Sequence, residues 1–355
     1  MSRCVVFAEV PGFYAAVARA DDPNLADRPV VVGGDPRKRG RVQAASADAQ
    51  ASGVTLEMTM LEALRTCPQA KAVRTDMPRY REVSRRLFTV LRATEPKIEP
   101  FGLGGAYADL GGRGETAGEL ARIWQERVTA ELQLPLRVGI AASKFLARLA
   151  ADQVNGDGGI REVEPGGEAA FLAPLPADRL DGVGRKTAAS LAALGAHTIR
   201  DVAALGRDRL QEVFGPHGLR IHACATGSDA EPVRGAQHPK SLSRESRLQG
   251  ESSDLRSFAE QLAGLAQQLE EELVRMGLAA GRIAVKVRFV DQQTTTRSAT
   301  LPAPVFAAAD LREAAARLLD RTQAGARAVR GLGIQLSRLA PAGDAERQLA
   351  LFPPS

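Results

Sequence analysis

The sequence predicts an α+β protein of more than one domain, on three observations. Over the first 165 residues, apolar β-branched runs alternate with stretches of helical spacing, and some strand-like runs follow one another directly. Residues 166–231 lose the strand-like runs and become short helical stretches punctuated by Gly and Pro. From residue 240 the order is strand, long helix, strand, strand, helix, strand, a βαββαβ pattern that makes a four-stranded sheet with two helices.

The chain of 355 residues is long enough for two or more cores. Its 44% hydrophobic and 25% charged residues are ordinary for a globular protein in water. A net charge of +5, carried mostly by Arg, permits a polyanionic partner without demanding one. The cysteines Cys4, Cys67 and Cys224 are odd in number and far apart, which excludes a disulfide framework and a zinc knuckle and fits a reducing cytoplasm. No apolar run approaches the roughly 18 residues of a membrane span. "MSRCVVFAEV" is too short and too quickly interrupted for a signal peptide. His197, His217, His222 and His238 lack metal-ligand spacing.

Along the chain, "CVVFAEV" (4–10) is an apolar strand with Glu9 near its end, and "GFYAAVARA" has helical spacing. "PVVVGG" (29–34) is a strand closed by glycines, and residues 58–67 and 79–94 read as helices. A strand at 104–110 lies within "IEPFGLGGAYADLGG" (98–112) and begins on Gly104 and Gly105. Glycine weakens a strand interior and marks a bulge or a close backbone approach. "AGELARIWQERVTAEL" is an amphipathic helix, "LRVGIAAS" a strand and "KFLARLAADQ" a helix.

Three further stretches point to nucleic acid and to a partner. "LDGVGRKTAASLAALG" (180–195) is a Gly-x-Gly turn opening a helix, where backbone N–H groups converge and favour an anion. With Gly182, Gly184, Arg185 and Lys186 it reads as a helix-hairpin-helix gripping a phosphate regardless of sequence, against the plainer reading of an inter-helix turn. After the linker "EPVRGAQHP", the strand "RIAVKVRF" puts Arg282, Lys286 and Arg288 on one face and Ile283, Val285, Val287 and Phe289 on the other. "TTTRSATL" adds Arg297. Such a basic face suits a phosphate backbone, or is a solvated surface, and an aromatic content of 4% disfavours base stacking. "QLALF" in the tail presents Gln348, Leu349, Leu351 and Phe352 as a peptide that would dock in a hydrophobic groove, against the plainer reading that it folds back on its own domain.

Taken in order, "FAEVPGFYAAVAR", "PVVVGG", "IEPFGLGGAYADL", "VGIAASKFLARLAAD", "LDGVGRKTAASLAALG" and "RQLALF" resemble a Y-family DNA polymerase of the DNA polymerase IV (DinB) kind over nearly the whole chain. The resemblance implies a multi-domain right-hand architecture. Its parts are a palm (1–10 and 75–165), fingers (11–74), a helix-hairpin-helix thumb (166–231), a linker (232–239), a βαββαβ little finger (240–340) and a clamp-binding tail (341–355). It also implies DNA and the sliding clamp (its beta subunit) as partners, in a bacterial, nucleoid-associated cytoplasmic setting.

The resemblance also exposes departures. Such polymerases clamp magnesium between carboxylates. Glu9 matches the first of these, whereas Gly104 and Gly105 stand at the Asp-Glu pair. A second N-terminal acid is replaced by Pro11, and the triphosphate contacts match Ala47, Gln50 and Asn155. Tyr14, at the sugar-discriminating gate, is kept. Asp109 lies four residues beyond Gly105, about 13 Å along a strand, too far to substitute. The expectation is therefore a non-catalytic, ImuB-like adaptor without a metal cofactor. Its further partners would be an ImuA/RecA-like protein and an error-prone replicative-type polymerase. The alternative is an active translesion polymerase with rearranged ligands, which would use magnesium.

Overall fold

The computed structural model describes residues 3–342, apart from 39, 112, 114, 115, 155, 157, 236–238 and 253. The chain forms two compact units, Met1–Ala236 and Gln237–Ser355.

The first unit is built on a five-stranded sheet. Its strands are β1 (Val5–Glu9), β5 (Ile98–Phe101), β6 (Gly105–Asp109), β7 (Arg137–Ala141) and β8 (Gly159–Glu162), in the order β5-β6-β1-β7-β8. β1 is central and antiparallel to both neighbours, with Glu9 opposite Gly105 on one side and Arg137 on the other. Both faces of β1 are covered, which is why its sequence is a continuous apolar run rather than an alternating one. Val6 and Ala8 pack with Leu87 of α4 (Met77–Arg92) and Trp124 of α5 (Ala117–Leu132). Val5 and Phe7 pack with Phe145 and Leu149 of α6 (Lys144–Asp152). Gly139 in β7 lets α6 come close, since a Cβ there would lie 1.8 Å from the Ala147 carbonyl oxygen.

Between β1 and α4 lie α1 (Phe13–Asp21) and a three-stranded sheet of β2 (Val30–Gly33), β3 (Val42–Ala45) and β4 (Lys71–Arg74), ordered β3-β2-β4. α2 (Ala47–Ala51) and α3 (Met60–Thr66) belong to the same region. β2 and α3 match sequence expectations, whereas β3, β4, β5 and β8 carry no strand expectation from the sequence. β4 and β8 are edge strands whose residues are mostly exposed, so "KAVR" and "GIRE" carry no run of buried apolar side chains. Five helices follow: α7 (Glu168–Leu172), α8 (Arg185–Ala193), α9 (Ile199–Leu205), α10 (Arg207–Phe214) and α11 (Pro216–Ala225). Among the described residues this stretch forms no strand, as its Gly/Pro punctuation predicts.

The second unit runs β9 (Ser241–Ser252), α12 (Leu255–Met276), β10 (Leu278–Phe289), β11 (Thr294–Val305), α13 (Ala308–Leu319) and β12 (Val329–Pro341). This is the expected βαββαβ order, closed into an antiparallel sheet β11-β10-β12-β9. The two helices cover one face. Phe258, Leu262 and Leu269 of α12 and Leu311 and Leu318 of α13 pack on Ile283, Val285, Val287 and Phe289. The parity expected for β10 is thus observed, and Arg282, Lys286 and Arg288 stand on the open face. Arg297 does not join them, a correction to its grouping with that basic surface. It pairs in register with core-facing Val285, and paired residues in an antiparallel ladder share a face. Its Nε donates to the Arg321 carbonyl at 3.0 Å.

Candidate active site and nucleic-acid surfaces

Glu9 ends β1 at the start of the turn that leads into α1, half-buried between β6 and β7. Burial and then the neighbouring Asp152 carboxylate push its acid up from the ordinary range, while Arg137 and Arg148 pull it down. Across the ladder Gly105 offers no side chain. A Cβ there would come within 3.2 Å of the Phe101 carbonyl oxygen and 3.3 Å of that of Ala8. A Cβ on Gly104 would lie 2.8–2.9 Å from three atoms of the Phe13 side chain. The space beside Gly104 is therefore taken by an aromatic ring from the first turn of α1.

That ring also lines a cavity of about 350 Å³, together with Tyr14, Gln50, Leu56, Leu103 and Gly104. Tyr14 is fixed by stacking on Tyr80, with ring centroids 4.2 Å apart and planes 10° from parallel. Gln50 Nε2 donates to the Ala45 carbonyl at 2.8 Å, and Ala47 is the first residue of α2. The structure thus brings Tyr14, Gln50 and Gly104 to one cavity. Asn155 lies outside the described residues. Asp109 points elsewhere, paired with Arg3 at 3.0 Å.

Magnesium is normally held by one or two carboxylates together with substrate phosphates. Around Gly104 and Gly105 the chain supplies Glu9, with Arg137 and Arg148 competing for its charge. Among the described residues no cluster of three or more His, Cys, Asp or Glu side chains is placed to hold a metal. The residues present do not fit the carboxylate clamp that the resemblance describes.

In the helical part of the first unit, Gly182 adopts φ +81°, and a Cβ there would lie 2.5 Å from His217 Cε1. His217 Nε2 donates to the Gly182 carbonyl at 3.0 Å, which ties this turn to α11. Gly184 caps α8 in an extended conformation, leaving Arg185 and Lys186 exposed at the first turn. Arg185 is ion-paired with Glu57, a partner with no signal in the local sequence.

On the open face of the second unit, Arg282 Nη2 donates to Ser298 Oγ at 2.7 Å. Lys286 and Arg288 both reach Glu245 of β9, at 3.0 and 2.7 Å. The sequence analysis did not single out Glu245, whose place beside them depends on β12 lying between β9 and β10. The residues Gln348, Leu349, Leu351 and Phe352 lie outside the described residues.

Among the described residues no helix is long and apolar enough to cross a membrane. The model of the impB/mucB/samB family matches residues 9–152, and that of its C-terminal domain matches residues 239–351. The chain is 35% identical to DNA polymerase IV of Alkalilimnicola ehrlichii over 99% of both chains. It is 36% identical to DNA polymerase IV of Halorhodospira halophila over 96% of both. It is 34% identical to DNA polymerase IV 1 of Bacillus subtilis over 99% of this chain and 86% of that one. Among solved structures, the Y-family DNA polymerase chimera Dbh-Dpo4(243-245)-Dbh matches with a TM-score of 0.81 and 25% identity, over 94% of this chain and 98% of that one. The insertion ternary complex of Dbh DNA polymerase matches with a TM-score of 0.76 and 24% identity over the same shares.

These likenesses correct the expectation of a non-catalytic adaptor that is not an enzyme. The relatives, alike along the whole chain, are named as DNA polymerases. The expectation of no cofactor falls with it, because it rested on the adaptor reading. Matched over both family models and in fold to solved polymerases, the chain belongs to the Y-family of DNA polymerases, within the impB/mucB/samB family.

Proposed function

We propose that this chain is an error-prone translesion DNA polymerase of the polymerase IV kind, acting on primer–template DNA. The observation that carries this is identity of 35% over 99% of both chains with a protein named DNA polymerase IV. In this reading the five-stranded sheet serves as palm, and the three-stranded sheet with α1–α3 serves as fingers. The 166–231 helices are the thumb and the second unit is the little finger. Tyr14, which lines the cavity and stacks on Tyr80, sets which sugar fits. The α8 turn with Arg185 and Lys186, and the open sheet face with Arg282, Lys286 and Arg288, take backbone phosphates and so give no sequence preference. The tail peptide with Gln348, Leu349, Leu351 and Phe352 docks on the sliding clamp.

Glu9 is the carboxylate that matches the family's first ligand, so the test turns on it. Single-nucleotide primer extension in magnesium is expected for the wild-type chain and is expected to be lost in Glu9→Gln. DNA bound by the wild type without any extension above the Glu9→Gln background would overturn the catalytic part of the reading and leave the DNA-binding part standing.

A further inference from the structure

The open face of the second unit has a trough floored by glycine. In register across three adjacent strands, Glu245 of β9, Gly333 of β12 and Lys286 of β10 form one row. Arg247, Gly331 and Arg288 form the next. β12 has no side chain in either row, and the walls enclose about 190 Å³ together with Arg330. Four cations line this space, and Glu245 is the one acid lining it among the described residues. Its carboxylate lies across the floor, with Oε1 on Lys286 Nζ at 3.0 Å and Oε2 on Arg288 Nη2 at 2.7 Å. Gly333 makes this possible, since a Cβ there would come within 2.7 Å of Glu245 Cγ.

Two oxygens of one anionic group bridging a Lys and an Arg is also how a phosphodiester's non-bridging oxygens would sit there. We propose that Glu245 is an internal stand-in for a DNA backbone phosphate, which must leave Lys286 and Arg288 before this face can bind DNA. The inference rests on the DNA-binding part of the proposed function and does not depend on catalysis. The trough favours a phosphodiester over a second acidic side chain by its charge, four cations against one acid. Glu245, Lys286 and Arg288 are each about two-fifths exposed, so the carboxylate can swing into water without unpacking the sheet.

Displacing Glu245 breaks two exposed ion pairs and returns a bare carboxylate to solvent, which then gathers a cation. Both effects weaken DNA binding and reduce its salt dependence. The test is fluorescence anisotropy of a labelled primer–template with the full-length chain over a range of salt concentrations. Glu245→Gln is expected to tighten binding by about two- to tenfold. It is also expected to steepen the slope of log K against log salt by about one. Adding Lys286→Ala and Arg288→Ala to Glu245→Gln should abolish the gain. Asp310→Asn makes the same change of charge on α13, which covers the other face, and should leave the slope unchanged.

Unchanged or weaker binding by Glu245→Gln, with an unaltered thermal midpoint, would overturn the proposal and make Glu245 a positioning residue for the two cations. An equal gain from Asp310→Asn would also overturn it, by showing only net charge at work. No DNA binding by the wild type at any salt would instead fail the DNA-binding reading itself.

Discussion

A single methyl group added at Gly104 probes how the head of α1 seats on the sheet. Gly104 has no left-handed φ, so the backbone accepts an L residue and space alone decides the outcome. The Cβ of Gly104→Ala would sit 2.8–2.9 Å from three Phe13 atoms, closer than such contacts occur. Phe13 is 9% exposed and cannot turn freely into water. Overpacking of this kind costs about 1–3 kcal/mol. Restricting the unfolded chain returns about 0.4–1 kcal/mol. The net expectation is destabilisation of up to about 2.6 kcal/mol, which for a unit of this size lowers the unfolding midpoint by up to about 10 °C. The contact is with one side chain, and Phe13→Ala removes two of its three atoms, Cγ and Cδ2, so it should relieve most of the clash. In the double variant the cost of Gly104→Ala should fall, with a coupling of about 0.5 kcal/mol or more. The assay is thermal and urea denaturation of the wild type, both single variants and the double. Costs that simply add in the double variant would refute the claim that Phe13 occupies the space beside Gly104.

Two other perturbations follow from the site and from the tail. Burial and Asp152 raise the Glu9 acid above its unfolded value, so folding favours the neutral form. The stability this represents is present below the ordinary carboxylate range and is lost as pH rises through the raised folded value. Glu9→Gln, which cannot ionise, should therefore melt above the wild type at pH 8, with the gap closing toward pH 4; a gap that grows on acidification would refute it. Deleting residues 347–355 should abolish clamp binding in a gel-filtration or calorimetric assay and leave the thermal midpoint unchanged, if the tail is a docking peptide alone. Clamp affinity equal to that of the full chain would place the contact elsewhere.

How much was legible in advance depended on whether a feature is local. The β1 run "VVFAE" and the parity of "RIAVKVRF" are written in consecutive residues, because side-chain direction in a strand alternates with period two. The βαββαβ order followed from the same patterns, and the family from six motifs in sequence. Composition concealed β4 and β8, since an edge strand that buries little needs no apolar run. The outcome for function is more instructive. The absence of carboxylates at Gly104 and Gly105 was plain from the sequence, and the adaptor reading built on it was overturned by whole-chain likeness to named polymerases.

The sequence by itself determined β1, β2, β6 and β7, the βαββαβ order of the second unit and the two faces of β10. Only the tertiary structure decided which charges meet. Glu245 crosses β12 to Lys286 and Arg288, which lie 41 and 43 residues away in sequence, and Arg185 finds Glu57. Arg297 falls on the helix-covered face because the β10–β11 register pairs it with Val285. Phe13 fills the space beside Gly104 because the head of α1 is held close to the start of β6. The physical reason is common to all four. Alternation along one strand is local geometry, but strand order, register and helix placement come from packing between segments distant in sequence, and these decide which side chains share a surface.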